Sequence, residues 1–303
     1  MVRVLITGAS GYIGSALVKR LESIDFEVTK VNRNSVSADT LALDVATERF
    51  LEKMKEHKRF DCIYHFGAPS SIIEFNRDPV YCVRNTLRGF RNILKLAELD
   101  DAKLIYPSSG NVYGTAPKPL NELTEPEPTN LYALCRLQCE EMAKDSKVES
   151  VGLRVFTGYG PGEEKKGERG SVIYQFLKEM IQGNSPIIWG NGTQARDFIY
   201  IEDIVDGMLS AINSFVPSIV NLGSGKSFSF NEVVEIINCC LKTDTKPIYV
   251  EDKKPRVETT LADVSLMRKT LNINPRPLEE GILNFIDYLN GEDRVIWRHI
   301  NDN

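Results

Sequence analysis

Short apolar runs rich in β-branched residues recur through the first half of the chain, and more polar segments separate them. Apolar runs bounded in this way predict buried parallel strands. Two of the intervening segments, 79–99 and 131–144, are predicted to be long helices. Strands that alternate with helices form βαβ units, so the pattern predicts an α/β fold with a doubly wound parallel sheet. The predicted strands lie at 2–7, 27–31, 62–66, 103–106 and 148–155.

The alternation loosens in the second half of the chain. We predict that this half forms a smaller C-terminal α/β lobe that binds substrate. In the expected division, 1–157 forms the cofactor domain, 198–224 returns to it, and 158–197 and 225–303 form the lobe. Residues 158–170 are rich in Gly, Lys and Glu and are expected to form a mobile surface loop. The other predicted elements are strands at 186–189, 198–201, 219–221 and 248–250, helices at 172–181, 202–212 and 231–241, and two closing helices.

A glycine motif follows the first predicted strand at once and leads into a predicted helix. Gly8, Gly11 and Gly14 have the spacing GxxGxxG, a close relative of the dinucleotide-binding fingerprint. The first glycine permits a tight turn, the second lets the backbone approach a pyrophosphate, and the third lets the helix pack near the sheet. The helical pattern then runs from Ser15 to Leu21, and the helix N-terminus points free N–H groups at the phosphates, so Tyr12 and Ile13 are counted with the cofactor residues. The context favours a Rossmann-type nucleotide site over the alternative, a glycine-rich turn without a ligand.

The end of the second strand bears on which dinucleotide is bound. Chains that bind NAD carry an acidic residue there, which accepts a hydrogen bond from the ribose 2′-hydroxyl. Asn32 stands at that position and Arg33 follows, so repulsion toward a 2′-phosphate is absent and a pairing cation is present. We expect NAD(P)(H), with a preference for NADP(H). In the alternative, Asn32 bonds the ribose of NAD and Arg33 is a solvated charge. Asp44 and Val45 are candidates for contact with the adenine edge.

Composition and charge exclude several functions. The 303 residues carry a net charge of −5 without a basic stripe, so nucleic acid is not an expected partner. The N-terminal apolar run is too short for a signal peptide and contains Arg3, and no segment reaches membrane-spanning length. We therefore expect no membrane association and a cytoplasmic location. The six cysteines form no CxxC pair and the three histidines are scattered, so no metal site is predicted.

Together these features resemble the extended short-chain dehydrogenase/reductase family, and within it the nucleotide-sugar epimerases and dehydratases. The resemblance covers nearly the full chain, and UDP-glucose 4-epimerases are its nearest reference. It depends on motifs in a fixed order and spacing rather than on a single match. Beyond the glycine turn these motifs are His65-Phe66-Gly67-Ala68, Asn85, Ser109 to Gly114, Tyr132, Gly160-Pro161-Gly162, Gly192 to Phe198 and Asn221-Leu222-Gly223.

The resemblance implies roles at the cofactor and at the reacting sugar. Ser109 resembles the Ser or Thr that hydrogen-bonds the sugar hydroxyl, and Tyr132 resembles the active-site acid/base. Gly67 and Ala68 would pass close to the cofactor. Asn85 is placed with the cofactor residues, where it would support the active-site helix and strand.

The resemblance also implies contacts with a nucleotide-sugar substrate. Arg196 resembles the residue that pairs with a phosphate of the nucleotide sugar, and Arg256 is the candidate for a second phosphate contact. Thr157 stands where many members have an Asn near these phosphates, and it can still donate with a shorter reach. Family members often dimerise through a four-helix bundle. A homodimer is therefore expected, with 79–99 and 131–144 as its helices.

The chain departs from the family at Arg136, which replaces the Lys of a Tyr-x-x-x-Lys motif. A phenol has a pKa of about 10, so a tyrosine that acts as a base at neutral pH needs a nearby positive charge. Residues four apart on a helix share a face, so Arg136 is placed to supply that charge to Tyr132. Two alternatives stay open. Arg136 keeps the electrostatic role with weaker anchoring of the ribose, or it turns to solvent and leaves an impaired enzyme.

The expected function is that of an NAD(P)-dependent nucleotide-sugar epimerase, which oxidises a sugar hydroxyl to a keto intermediate and returns the hydride to the other face. A 4,6-dehydratase is disfavoured because those enzymes carry Asp-Glu after the Ser or Thr, where this chain has Gly110 and Asn111. An NADPH-dependent reductase of a keto sugar or related carbonyl is the first alternative, because it agrees with the NADP(H) preference. A cofactor-binding sensor or scaffold with impaired catalysis is the second, and only Arg136 supports it.

Overall fold

Strands and helices alternate along most of the chain in the computed structural model, which describes residues 1–24, 26–34, 37–213, 215–216, 218–251 and 257–300. The strands are β1 (Val2–Thr7), β2 (Phe26–Asn32), β3 (Thr40–Ala42), β4 (Cys62–His65), β5 (Lys103–Ser109), β6 (Ser150–Val155), β7 (Thr157–Tyr159), β8 (Ile187–Trp189), β9 (Ala195–Tyr200), β10 (Ile219–Leu222), β11 (Ser227–Ser229) and β12 (Ile248–Val250). The α-helices are α1 (Tyr12–Glu22), α2 (Glu48–Met54), α3 (Ile72–Arg77), α4 (Pro79–Asp100), α5 (Leu131–Lys144), α6 (Val172–Ile181), α7 (Ile201–Asn213), α8 (Phe230–Leu241), α9 (Ser265–Leu271) and α10 (Leu278–Ile300). Two 3₁₀ helices span Gly110–Tyr113 and Glu163–Arg169.

Seven of the described strands form a parallel central sheet in the order β10-β6-β5-β4-β1-β2-β3. The predicted α/β class with its Rossmann-like parallel sheet is therefore confirmed. β1 lies where the strand order reverses, and its last residue, Thr7, pairs with Val31 of β2 and His65 of β4. Ligands of open α/β sheets bind in the crevice beyond the carboxyl ends of the strands at such a reversal. This topology directs attention to the loops after β1 and β4.

Helices cover both faces of the central sheet because its strands are apolar on both sides. Successive side chains of a strand point to opposite faces. In β1, Val4 and Ile6 join a buried cluster with residues of α1, α7 and α9, whereas Leu5 joins a second cluster with residues of α2, α4 and α5. The continuous apolar character of the strand thus follows from burial on two sides rather than one.

The second half of the chain adds two smaller sheets. β9 pairs in parallel with β7 and antiparallel with β11, and β12 pairs with β8. A third apolar cluster packs α6, α8 and α10 against these strands and contains Phe176, Ile237 and Phe285. Tyr12 and Ile13 of α1 pack against the same cluster, so it abuts the glycine turn. No helix in the described ranges is long and apolar enough to span a membrane.

Most predicted elements are observed within a few residues of their expected bounds, and the helix at 131–144 and the strand at 248–250 match residue for residue. The six-residue helix α3 was not predicted. The segment 158–170, expected to be a mobile surface loop, has regular structure, because it contains the end of β7 and a 3₁₀ helix, while positions 164, 165 and 167–169 are exposed. Within this segment, the fully buried carboxylate of Glu163 accepts hydrogen bonds from the backbone N of Ser171 at 2.8 Å and from its Oγ at 2.6 Å.

Candidate active site

The glycine turn after β1 packs closely against the backbone that follows β4 and against the start of α1. Gly8 has a φ of +69°, and a Cβ placed on it would lie 2.6 Å from the carbonyl carbon of Phe66. A Cβ on Gly14 would lie 2.2 Å from the carbonyl oxygen of Gly8. Helix α1 then begins at Tyr12 after Gly11, which has no side chain to cap the first turn. The first N–H groups of the helix are therefore open to an anionic ligand.

A cleft of about 970 Å³ opens beside this turn, near the upper end of the range for ligand pockets, roughly 300–1,000 Å³. It extends along the carboxyl ends of β1, β2, β4, β5 and β6. Every proposed cofactor and catalytic residue lies in its wall, as does Thr157. The wall contains Gly8, Gly11, Tyr12, Ile13, Gly14, Asn32, Arg33, Asp44, Val45, Gly67, Ala68, Asn85, Ser109, Tyr132, Arg136 and Thr157.

The end of the cleft beside β2 is polar. The Oδ1 of Asn32 accepts a hydrogen bond from the backbone N of Ser10 at 3.0 Å, while its buried Nδ2 has no partner among the described residues. Arg33 donates to the hydroxyl of Tyr81 and stands over its ring, with Cζ 5.7 Å from the centroid. Arg33 therefore lies against protein at this end of the cleft.

Asp44 and Asn85 are tied together at the same end of the cleft. The Oδ1 of Asp44 accepts hydrogen bonds from the backbone N of Ala46 at 2.9 Å and from Nδ2 of Asn85 at 3.3 Å. Asn85 belongs to α4, so this contact joins that helix to the loop after β3. These two hydrogen bonds fix the position of the Asp44 carboxylate.

The floor of the cleft is formed by the end of β4. His65 is buried, and its Nδ1 lies 2.7 Å from Oγ1 of Thr7. Burial, together with the nearby charge of Arg136, lowers the pKa of His65 to about 3, so the imidazole is neutral at physiological pH. Gly67 follows, and its backbone N donates to Oγ1 of Thr7 at 3.3 Å. A neutral ring adds no charge beneath the cleft.

Ser109 and Tyr132 reach the cleft from two different elements. Ser109 ends β5, and its Oγ accepts hydrogen bonds from the backbone N of Asn111 at 3.2 Å and from its Nδ2 at 3.1 Å. Tyr132 lies in the first turn of α5, which is capped by Asn130. Its ring packs edge-on against Phe75 of α3, with the ring centroids 5.7 Å apart. A hydroxyl and a phenol thus share one wall of the cleft.

Arg136 points into the protein and not to solvent. Only 7% of the residue is exposed. Its Nη2 donates to the carbonyl of Pro69 at 2.9 Å, and its Nη1 to that of Pro107 at 3.5 Å. Its Cζ lies 5.2 Å from the ring centroid of Tyr132. Its guanidinium therefore lies beside the ring of Tyr132, inside the cleft wall.

A buried ionic network lies behind the catalytic wall, and sequence reasoning missed it. Ser108 donates to Glu140, one helical turn beyond Arg136 on α5. Arg154 of β6 donates to both oxygens of Glu140, at 3.0 and 2.6 Å, and its Cζ lies 4.7 Å from the ring centroid of Tyr113. Burial disfavours the charge of Arg154, but Glu140 outweighs burial and raises the pKa of the guanidinium. The available sequence signal was an arginine within an apolar strand.

The residues expected to bind substrate phosphates are placed less centrally. Arg196 of β9 donates from Nη1 to the carbonyl of Ala195 at 2.7 Å and to that of Glu258 at 3.2 Å, and its Cζ lies 5.7 Å from the ring centroid of Phe230. Arg196 is not among the residues in the cleft wall. Arg256 lies outside the described residues. Among those that are described, no group of three or more His, Cys, Asp or Glu side chains could hold a metal.

The cleft fits a dinucleotide by three observations. The glycine turn admits a ligand close to the backbone, since no side chain stands there. The buried Nδ2 of Asn32 is a donor without a protein acceptor in the described chain, at the strand end where an adenosine ribose binds in this fold. The volume accommodates a second ligand portion next to Ser109 and Tyr132.

Comparison with known proteins agrees with this geometry. Residues 4–223 match the model of the NAD dependent epimerase/dehydratase family. A putative UDP-glucose 4-epimerase of Methanocaldococcus jannaschii is 30% identical, in an alignment that covers 96% of this chain and all of that protein. A UDP-glucuronate 4-epimerase of Thermodesulfobacterium geofontis is 27% identical, over 94% of this chain and 95% of its own length.

Solved structures share the whole fold. A UDP-N-acetylglucosamine 4-epimerase from Methanobrevibacter ruminantium, in complex with UDP-N-acetylmuramic acid, has a TM-score of 0.88 at 25% identity and covers 96% of this chain and 98% of its own. A UDP-glucose 4-epimerase from Thermotoga maritima, with UDP-glucose, has a TM-score of 0.89 at 24% identity, covering 96% of this chain and 99% of its own. At 24% identity, the similarity to the Thermotoga maritima structure concerns the fold alone.

Proposed function

Because the chain belongs to the NAD dependent epimerase/dehydratase family, we propose that it is a nucleotide-sugar epimerase that uses NAD(P)(H). One observation carries the proposal. Ser109, Tyr132 and Arg136 lie in the wall of the same cleft as the glycine turn, although they come from two different elements. A hydroxyl, a phenol and a fixed cation beside a dinucleotide site are the groups that reversible oxidation of an alcohol requires.

The proposed chemistry follows from what these side chains can do. The glycine turn and the end of β2 would hold the dinucleotide, and its nicotinamide would supply a reversible hydride acceptor for the sugar carbon. Tyr132 takes the proton of the sugar hydroxyl and gives it back, while Ser109 hydrogen-bonds the same oxygen. The positive charge of Arg136 stabilises the phenolate form that the proton transfer creates. Epimerisation additionally requires the keto sugar to present its other face before the hydride returns.

Dehydration is disfavoured by the packing after Ser109. The dehydratase-like carboxylates would occupy positions 110 and 111. A Cβ on Gly110 would lie 3.2 Å from the ring of Phe156, so a longer side chain at this position would require that ring to shift. Asn111 uses its amide to bond Ser109. Elimination would have no acid/base pair at this position.

A nucleotide sugar is the proposed substrate, with UDP sugars favoured by the relatives. In support, β9 pairs with β7 so that Phe198 stands opposite Thr157, and Arg196 lies two residues further along. Two residues of a strand span about 6.6 Å, which keeps Arg196 near the mouth of the cleft. We propose that Arg196, Thr157 and Arg256 contact the diphosphate, and that the smaller C-terminal lobe selects the sugar.

The cofactor preference separates the first candidate from a second. Asn32 and Arg33 stand where NAD-binding chains carry a carboxylate, and this supports NADP(H). A reductase exchanges a reduced cofactor, so an NADP(H) preference favours a keto-sugar or carbonyl reductase as the second candidate. A UDP-glucose 4-epimerase of Thermus thermophilus, which shares the fold at 23% identity, forms a complex with NAD. An epimerase of this fold can therefore hold NAD, and the epimerase stays the first candidate.

Purified protein distinguishes the candidates. An epimerase should retain cofactor through purification and interconvert a UDP sugar without added nicotinamide. A reductase should turn over only with added NADPH. A scaffold should bind ligand without turnover on a panel of UDP, GDP, dTDP and CDP sugars. Free UDP should compete with the substrate. Arg196→Ala should weaken the binding of both UDP and the UDP sugar. If free UDP does not compete, the nucleotide-sugar assignment is wrong.

A further inference from the structure

A segment with three basic side chains in the cleft wall lies beside the glycine turn and helix α1. We call residues Glu163–Arg169 the strap. Three strap residues, Lys165, Lys166 and Arg169, lie in the cleft wall, whereas its acidic residues do not. Positive charge is therefore concentrated on the side of the strap that faces the glycine turn, although the segment as a whole is mixed in charge.

The strap lysines lie against the first turn of α1. The Nζ of Lys165 donates to Oγ of Ser15 at 2.8 Å. The Nζ of Lys166 stands 3.7 Å from the ring centroid of Tyr12. Tyr12 and Ser15 flank Gly14, so both ammonium groups lie within reach of the place where a dinucleotide pyrophosphate would meet the helix N-terminus.

The strap is built into the fold at both ends. At its start, buried Glu163 bonds Ser171 and accepts a hydrogen bond from Nζ of Lys166 at 2.9 Å. At its end, Nη1 of Arg169 pairs at 2.8 Å with Oε1 of Glu74, which belongs to α3. Residues of α3 also line the cleft, so this ion pair, which we call the clasp, joins two walls. Its side chains are 35% and 34% exposed, which leaves the clasp able to open.

We infer that the strap binds the pyrophosphate of the dinucleotide: Lys165 and Lys166 contact its oxygens, and the clasp between Arg169 and Glu74 holds the strap over the bound cofactor. The inference rests on the proposed function for the existence of a dinucleotide site. The diphosphate of a nucleotide sugar offers the same chemistry. Contact with α1, rather than with Ser109 or Thr157, favours the dinucleotide.

Titration calorimetry with ADP-ribose, adenosine and UDP tests the phosphate contacts. Lys165→Gln should weaken ADP-ribose about fivefold to tenfold, as expected for loss of a charged hydrogen bond that is partly exposed to solvent. Adenosine, which lacks phosphate, and UDP should bind unchanged. The dependence of ADP-ribose binding on ionic strength should also become shallower. Lys178→Gln, at an exposed position of α6, is the matched control and should have no effect.

Two outcomes would overturn the phosphate assignment. Equal loss of adenosine and ADP-ribose would mean that the substitution disturbs the site as a whole. Loss of UDP alone would assign the lysines to the nucleotide sugar. If wild-type protein binds neither ADP-ribose nor adenosine, the dinucleotide site itself is absent and the proposed function fails with the strap.

The clasp has a separate test in Glu74→Gln. Loss of the negative charge alone predicts slower release of the anionic cofactor, whereas loss of the ion pair that holds the strap predicts faster release. Glu74→Gln keeps an oxygen for the backbone N of Ser70, which lies 3.0 Å from Oε2 of Glu74, but removes the ion pair. If the clasp holds the strap, Glu74→Gln and Arg169→Gln should both raise the dissociation rate of NADH or NADPH, measured by stopped-flow fluorescence, by about threefold. Glu52→Gln, on the exposed side of α2, is the control. Slower release or unchanged release from Glu74→Gln would overturn the clasp.

Discussion

At the scale of single residues, the proposed chemistry depends on Arg136 and Tyr132. The guanidinium is held by two backbone carbonyls of the cleft wall, so its charge remains close to the phenol ring without a carboxylate to neutralise it in that contact. A lysine at this position would reach the same region with one rotatable ammonium. Arginine in place of lysine therefore changes the geometry of the hydrogen-bond donors but keeps the positive charge.

Tyr132→Phe tests the proposed acid/base. The ring and its edge contact with Phe75 are kept, while the proton carrier is removed. We expect turnover to fall by about 10²–10⁴, the usual loss for a general acid–base group, with cofactor affinity unchanged. Steady-state kinetics and cofactor titration on the same preparation measure both. A variant with near wild-type turnover would assign the proton transfer to another group.

Arg136 can be tested with a conservative and a truncating variant. Arg136→Lys retains a charge at the same helical position, so activity should persist or rise. Arg136→Ala removes the charge, so the rate should reach its half-maximum at higher pH, and the carbonyls of Pro69 and Pro107 lose a donor. Comparison of the two pH–rate profiles is the measurement. If the Ala variant matches wild type in rate and profile, Arg136 has no part in activating the base.

Arg33→Ala tests cofactor choice. A charge-assisted contact with a 2′-phosphate contributes about 1.5–3 kcal/mol, which corresponds to a roughly tenfold to hundredfold weaker NADP(H) complex. NAD(H) binding should barely change, since it lacks that phosphate. Fluorescence titration of both reduced cofactors gives the two dissociation constants. A wild-type preference for NAD(H) would contradict the assignment.

At the scale of secondary-structure elements, the Glu140–Arg154 pair joins α5, which carries Tyr132, to β6. Ser108 brings β5 into the same network. Both partners of the ion pair are deeply buried, with side-chain exposures of 4% for Glu140 and 5% for Arg154. Removal of one partner of such a pair leaves an uncompensated charge in the interior.

Glu140→Gln should therefore destabilise the protein by about 3–5 kcal/mol, because the guanidinium of Arg154 stays buried without its counter-charge. Chemical unfolding in urea measures the change. The matched control on the same helix is Glu141→Gln, which breaks an exposed pair with Lys144 and should cost less than about 1 kcal/mol. Similar losses for the two variants would mean that the buried network contributes little.

At the scale of the whole molecule, α4 and α5 expose apolar side chains that their own chain does not cover. Val80 of α4 is 76% exposed, and Leu131 and Leu134 of α5 are 45% and 49% exposed. We expect these helices to pair with those of a second copy in a homodimer. Leu134→Glu should convert the dimer to monomer in light scattering after size exclusion. Leu123→Glu, at a 96% exposed site outside these helices, should not. A monomeric wild-type protein would end this expectation.

The sequence by itself determined the α/β class, most element positions and the glycine turn. These features are local, because the periods of strands and helices and the spacing of three glycines can be read from short segments of the sequence. Family motifs in order also identified Ser109, Tyr132 and the unusual Arg136 as neighbours in one site. Four-residue spacing on a helix placed Arg136 on the face of Tyr132 before any contact was known.

Only the tertiary structure decided what lies around those residues. Arg136 meets the carbonyl of Pro69 across 67 positions of sequence, and Arg169 meets Glu74 across two walls of the cleft. The strap is held at its start by Glu163, whose buried carboxylate accepts two hydrogen bonds from Ser171. From their side-chain type alone, such residues are expected to be exposed to solvent and mobile. Which partner neutralises a buried charge depends on the packing of distant elements, and local sequence patterns do not encode that packing.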